Sequence, residues 1–190
     1  MGEIRIIGGS HKRRVIKVSD VVGVRPSPNR VRETLFNWLG QDLTGWTVLD
    51  LFAGSGALGF EAASRGAGKV VMIEQHPSVL KQLEQNRSEL KFTQVQITQA
   101  NAREWPKTAR DQFDLVLADP PFSDPRIESI LQAVSTCIKA SGMVYLETPM
   151  PVPEMTEWSV FRAAKAGQVF YQLLQPQLKR VSTPLTRDEK

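Results

Sequence analysis

Four residues, Asp119-Pro120-Pro121-Phe122, combine an acid, two prolines and an aromatic ring directly after the apolar run Phe113-Asp-Leu-Val-Leu-Ala118. That run predicts a buried strand, so the tetrapeptide stands at a strand's C-terminal end. The residue types suit one unusual task, holding a planar amine. An exocyclic amine of a nucleic acid base is a poor nucleophile because its lone pair is delocalised into the ring. If the Asp119 carboxylate and the Pro120 carbonyl each accept one N–H, the nitrogen can pyramidalise toward an electrophile. Pro121 restricts Pro120 to extended geometry and so fixes where that carbonyl points. Phe122 offers a face on which an unpaired base stacks. A base in a duplex would have to be flipped out to reach the loop. The plainer reading is a proline-rich strand exit with a capping acid, which the rest of the chain weighs against.

A second constellation begins at Val48-Leu-Asp50 and runs through Leu-Phe52-Ala-Gly54-Ser55-Gly56-Ala-Leu-Gly59. Gly54, Gly56 and Gly59 match the G-x-G-x-x-G loop that lets backbone approach a ligand between a strand and a helix. Glu74 follows 18 residues after Gly56, where an acid accepts hydrogen bonds from ribose hydroxyls. These features also describe a nicotinamide-dependent dehydrogenase. Asp50 argues otherwise. A pyrophosphate at a helix N-terminus favours positive dipole and no nearby carboxylate. Asp50 suits a ligand with a cationic amino-acid end, such as S-adenosylmethionine. Phe52 and Ser55 lie in the same loop. Asn101 and Ala102, after the next expected strand, are the candidate adenine contacts, although an Asn in a loop is commonly a turn former.

Charge supplies a third clue. The chain of 190 residues carries a formal net charge of +4, and its distribution is uneven. Residues 1–32 hold eight Lys or Arg against two acids, whereas the remainder is slightly acidic. Clustered basic residues are the footprint of a phosphate-backbone contact, or simply a solvated face. No apolar run approaches the ~20 residues that span a bilayer, and the N-terminus lacks a secretory pattern. The single cysteine, Cys137, excludes an internal disulfide and fits a reducing cytoplasm. Two histidines, His11 and His76, are too few and too distant to suggest a metal site.

The elements that position these residues follow from periodicity. Residues 4–7 and 14–18 predict two short strands of a basic β-hairpin arm (residues 1–24). Ser27 is the expected N-cap of a helix with Pro28 at its first position. In that helix Val31, Leu35, Trp38 and Leu39 form the apolar stripe, with Arg30 and Arg32 outside. Strands are expected at 47–52, 69–74, 94–98, 113–118 and 142–147. Helices are expected at 57–65, 77–90 and 125–139, with a poorer turn near 102–105. The alternation predicts an α/β domain over residues 25–175 with a parallel sheet. Residues 158–167 and 168–174 predict an antiparallel hairpin, because no helix separates them. Residues 176–190 read as a polar tail, and Cys137 falls on the apolar face of the last expected helix.

Asp50-Leu-Phe-Ala-Gly-Ser-Gly56, Glu74 and Asp119-Pro-Pro-Phe122 together resemble class I S-adenosylmethionine-dependent methyltransferases that act on amines. Arg5-Ile-Ile-Gly-Gly9, Arg25-Pro-Ser27, Arg30-Val-Arg-Glu-Thr-Leu-Phe-Asn37 and Gly54-Ser-Gly-Ala-Leu-Gly-Phe-Glu-Ala62 are similar to the ribosomal RNA small subunit methyltransferase D family. The resemblance runs from about residue 4 to 174. It implies a Rossmann-like seven-stranded sheet with an antiparallel terminal hairpin. It also implies N2 methylation of a guanine in 16S rRNA during small-subunit assembly, with S-adenosylmethionine as the cofactor. Ser27 replaces a frequent Thr of the family, and Asn101 stands where many class I enzymes carry Asp. Arg5, His11, Lys12, Arg13, Arg14, Arg25 and Arg30 become RNA-contact candidates. A cytoplasmic monomer working on an assembling particle is the expectation. The acceptor motif by itself leaves adenine-N6 methylation of DNA or RNA open, as it does a non-catalytic RNA-binding assembly factor.

Overall fold

A computed structural model describes residues 2–19, 28–121 and 126–177 of the chain. The expected segments Ser27, Arg25, Phe122 and the tail beyond residue 177 lie outside the described residues. Two strands, β1 (Gly2–Arg5) and β2 (Val15–Val18), pair antiparallel as a hairpin whose loop contains a short 3-10 turn, Gly9–His11. Helix α1 (Asn29–Trp38) follows, then β3 (Thr47–Asp50), α2 (Ala57–Ser64), β4 (Lys69–Glu74) and α3 (Pro77–Leu90). The order continues with β5 (Val95–Gln99), β6 (Phe113–Ala118), α4 (Ile127–Val134), β7 (Ile138–Thr148), β8 (Trp158–Ala166) and β9 (Val169–Pro176). Seven of these strands form one sheet in the order β5-β4-β3-β6-β7-β9-β8. The first five in that row are parallel, and β9 and β8 are antiparallel.

The central strands are covered on both faces, which is why they read as unbroken apolar runs. On one face Val48, Val70, Met72, Leu115, Leu117 and Tyr145 join α1, α2 and α3 in a single cluster. On the other, Leu49, Leu51, Val71, Ile73, Val116, Ala118, Val144 and Leu146 pack against α4 and Trp158. The alternation within each strand assigns its residues to the two faces. Ile4, Ile6, Ile16 and Val18 of the hairpin belong to the first cluster, so the arm is packed onto the domain's core.

Four expectations are corrected. Helix α1 begins at Asn29 with Pro28 as its N-cap, one residue later than expected. Arg32 is fully buried rather than on the outer face, because α1 packs along two sides and Phe36 is buried beside it. Helix α4 ends at Val134, and the chain from Ile138 is already β7. Cys137 is buried, as expected, but in the turn between them. The start of β7 was hidden because Ile138-Lys-Ala-Ser-Gly142 does not alternate. The ladder shifts register there, between the pairs Phe113↔Ile138 and Leu115↔Met143. A 3-10 turn at Trp105–Thr108 takes the place of the helical turn expected near 102–105.

Candidate active site

The strand order fixes where a site can form. From β3 the chain steps outward to β4 and β5, and from β6 it steps the other way to β7. A parallel sheet opens a crevice at such a switch point, beyond the carboxyl ends of the strands. The candidates converge on that edge. Asp50 ends β3, Glu74 ends β4, Asn101 follows β5 by two residues and Asp119 follows β6 directly. Asp50 is level with Leu117 in the parallel register, so the glycine loop and the acceptor loop leave neighbouring strands. Adjacent strands are about 5 Å apart, which brings the two loops side by side.

The glycine loop is tied down from below and from the side. Gly54 and Gly56 have φ of 48° and 79°, the left-handed region that glycine adopts without strain. Asp50 is buried, 2% exposed, and its Oδ2 accepts the Gly59 N–H at 2.9 Å in the first turn of α2. A Cβ at Gly59 would lie 2.8 Å from that oxygen, so only glycine allows this approach. Burial pushes the Asp50 carboxyl up to about 7, against the Gly59 hydrogen bond and with a further push from Glu74. The carboxylate therefore lies beneath the loop, a latent negative charge that a cationic ligand end would complement. Ser55 is buried and its Oγ accepts the Ala57 N–H at 3.3 Å. Phe52 is half-buried against the second cluster.

Glu74 braces the loop from β4. Its Oε2 accepts the Gly54 N–H at 3.1 Å, and its Oε1 accepts the N–H groups of Gln75 and His76, each at 2.8 Å. Each oxygen keeps a lone pair for a further donor. Asn101 is exposed, and its Oδ1 accepts the Arg103 N–H at 2.9 Å in a side-chain turn. Ala102 is half-buried next to it and packs against the second cluster.

On the acceptor side Asp119 is half-buried, Pro120 buried and Pro121 exposed. The register Ala118↔Leu146 brings Asp119 level with Glu147 of β7. Tyr145, fully buried, donates its hydroxyl to Glu147 Oε1 at 2.9 Å. Burial, then Glu147 and then Asp119 raise the Tyr145 hydroxyl well above its ordinary value, so it remains a donor. Sequence reading missed this pair. An acid and a tyrosine two residues apart in a strand next to the acceptor strand were the available signal.

The RNA-contact candidates divide. Lys12, Arg13, Arg14, Arg5 and Arg30 are exposed. His11 is half-buried, its Nε2 hydrogen-bonded with the Leu90 carbonyl at 2.9 Å and its ring 4.3 Å from Phe92. The hairpin loop is also held by Glu61 of α2. Its carboxylate accepts the N–H groups of Ile7 and Gly8, each at 2.8 Å, together with Arg65 Nε at 2.9 Å and Arg32 Nη1 at 3.4 Å. Glu61 and Arg32 are fully buried, and a charged residue inside the otherwise apolar Ala57–Ser64 was the signal for this hub. Among the described residues no group of acids, histidines or cysteines could hold a metal ion, and no helix is long and apolar enough to cross a membrane.

Comparison with known proteins identifies the family. The family described as conserved hypothetical protein 95 matches residues 4–175. Ribosomal RNA small subunit methyltransferase D of Escherichia coli (strain K12) is 37% identical over 179 residues, covering 92% of this chain and 90% of that protein. Its namesake in Haemophilus influenzae is 37% identical over 182 residues, covering 92% and 94%. A solved structure from Escherichia coli, described as a methyltransferase, superposes with a TM-score of 0.83 at 36% identity and covers 93% of this chain and 99% of that one. With a matching fold and relatives this similar over almost its whole length, the chain belongs to the ribosomal RNA small subunit methyltransferase D family, the family of conserved hypothetical protein 95.

Proposed function

We propose that the protein transfers a methyl group from S-adenosylmethionine to the exocyclic N2 amine of a guanine in 16S rRNA while the small ribosomal subunit assembles. The observation that carries this reading is the pairing of two loops at one switch point. A glycine loop braced by Asp50 and Glu74 adjoins an Asp119-Pro120-Pro121 loop shaped for an amine. The names of the relatives supply the RNA class.

The donor set fits S-adenosylmethionine. The Asp50 carboxylate under the loop complements the cationic amino-acid end, Glu74 offers lone pairs to ribose hydroxyls, and Asn101 and Ala102 lie where the adenine would rest. Bound there, S-adenosylmethionine supplies a methyl carbon made electrophilic by its sulfonium. The chain's own residues do the rest. Asp119 and the Pro120 carbonyl accept the two N–H bonds of the amine and draw its lone pair out of conjugation. Pro121 holds Pro120 extended. Phe122, outside the described residues, stacks on the flipped base. Holding both reactants aligned provides much of the acceleration. On this reading the protein works in the cytoplasm as a monomer, and Arg5, His11, Lys12, Arg13, Arg14, Arg25 and Arg30 form its basic RNA-facing region.

Mass mapping of 16S rRNA from a deletion strain tests the reading. The guanine methyl should vanish, return with the wild-type gene and stay absent with Asp119→Ala. A methyl that persists in the deletion strain would refute it.

A further inference from the structure

We propose that the β8–β9 hairpin is a second RNA-contact surface, which grips the substrate strand beside the target nucleotide. The inference rests on the RNA methyltransferase reading above and adds a contact that lies outside the basic N-terminal region.

Three observations support it. The first is position. β9 runs antiparallel to β7, and Thr148 at the end of β7 faces Phe170 at the start of β9. The turn between β8 and β9 therefore emerges at the same edge of the sheet as Asp119. Gly167 in that turn has φ of +61°, and a Cβ there would meet nothing within 4 Å, so the tip is open. The second is charge. Residues 158–176 contain two basic residues, Arg162 and Lys165, and no acid. The third is the pairing of cations with aromatic rings. The Lys165 ammonium lies 4.7 Å from the centre of the Phe170 ring, and the Arg162 guanidinium 4.5 Å from that of Phe161.

The ladder explains how Phe161 is presented. Val160 pairs with Leu174 and Arg162 with Leu173, leaving Phe161 as the extra residue of a bulge. Bulges on edge strands re-aim side chains. Phe161 is 40% exposed with Val160 beside it at 49%. Charges and a bulge on an edge strand also discourage pairing with other strands. That role accounts for Arg162 and Lys165, but an exposed ring would work against it. Aromatic rings flanked by cations are what single-stranded nucleic acid uses, bases stacking on the rings while the cations meet phosphates. Arg162 donates one hydrogen bond to the Phe161 carbonyl at 3.1 Å and retains other N–H groups for a phosphate.

The test is binding of 16S rRNA as a function of salt, with cofactor affinity by calorimetry as the control for an intact fold. Arg162→Gln with Lys165→Gln should weaken RNA binding roughly ten-fold near physiological salt. It should also lower the log–log salt slope by about 2, since each lost phosphate contact removes about 0.9. Phe161→Ala should weaken binding roughly five-fold or more with the slope unchanged, as lost stacking does. Cofactor affinity should stay at the wild-type value in both. Wild-type affinity and slope in both variants would overturn the proposal while leaving the methyltransferase reading intact. So would a loss seen on ribosomal particles but not on free rRNA, which would assign the surface to a protein. Failure of the wild-type protein to bind or methylate rRNA would remove the underlying reading, and this inference with it.

Discussion

Asp50 shows how a single residue can join the stability of the fold to its ligand. Its carboxyl, about 4 in an unfolded chain, is pushed up to about 7 by burial beneath α2. Between those values the folded protein binds a proton that the unfolded chain has released. Stability therefore falls as pH rises through that window and levels off above about 7. Asparagine keeps an acceptor for the Gly59 N–H and cannot ionise. Asp50→Asn should then flatten the dependence of melting temperature on pH between 4 and 7. It should raise the melting temperature of the cofactor-free protein at pH 8 by roughly 5 °C. The same change should weaken S-adenosylmethionine binding, since the charge that complements its cationic end is gone. Thermal denaturation across pH and calorimetry read the two effects separately. A variant that melts like wild type at every pH would show that Asp50 carries no such penalty.

At the scale of elements, Glu61 holds three pieces of the fold together. The backbone of the hairpin loop, Arg32 of α1 and Arg65 of α2 all converge on one buried carboxylate. Burial lowers the Arg32 guanidinium from its usual value, opposed by Glu61, so the pairing offsets a real desolvation cost. Removing one partner of a buried ion cluster costs about 3–5 kcal/mol, because the others are left uncompensated. Glu61→Ala should lose stability of that order in denaturant titration. The amides of Ile7 and Gly8 should lose their protection from hydrogen exchange. Retained protection would mean that the hairpin is held by its apolar side chains alone. None of this was legible beforehand, because Arg32 and Glu61 read as surface charges until their partners in space are known. The central strands were legible, since burial on both faces writes itself as continuous apolar runs such as Val70–Ile73. The boundary between α4 and β7 was not, because the residues from Ser135 to Gly142 carry neither period. The candidate site was the most legible part. Its glycines, acids and prolines are demanded by local backbone geometry, which sequence spacing records directly.

For the whole molecule, the direction of the helices decides what the basic arm can reach. Helices α2 and α3 start beside the carboxyl ends of β3 and β4 and run back toward their amino ends. Arg65 and Leu90 therefore lie at the edge opposite Asp119, where Arg65 bonds to Leu43 and the chain re-enters the sheet at Lys69 and Val95. The hairpin loop is fastened at that same edge. His11 N–H donates to Ser64 Oγ at 2.9 Å, and its ring bonds with Leu90. Lys12, Arg13 and Arg14 are thus separated from the acceptor loop by the length of the strands, about 20 Å for six residues. Charges at that distance cannot touch the flipped base, and they act by holding the flanking RNA. Neutralising the three should therefore raise the RNA KM and reduce the salt slope by about 2–3. Its effect on kcat should be much smaller, and cofactor affinity should be unaltered. Steady-state methylation of 16S rRNA across salt concentrations measures each quantity. A loss confined to kcat would mean that the loop moves to the catalytic edge on binding, and an unchanged KM would remove it from the RNA interface.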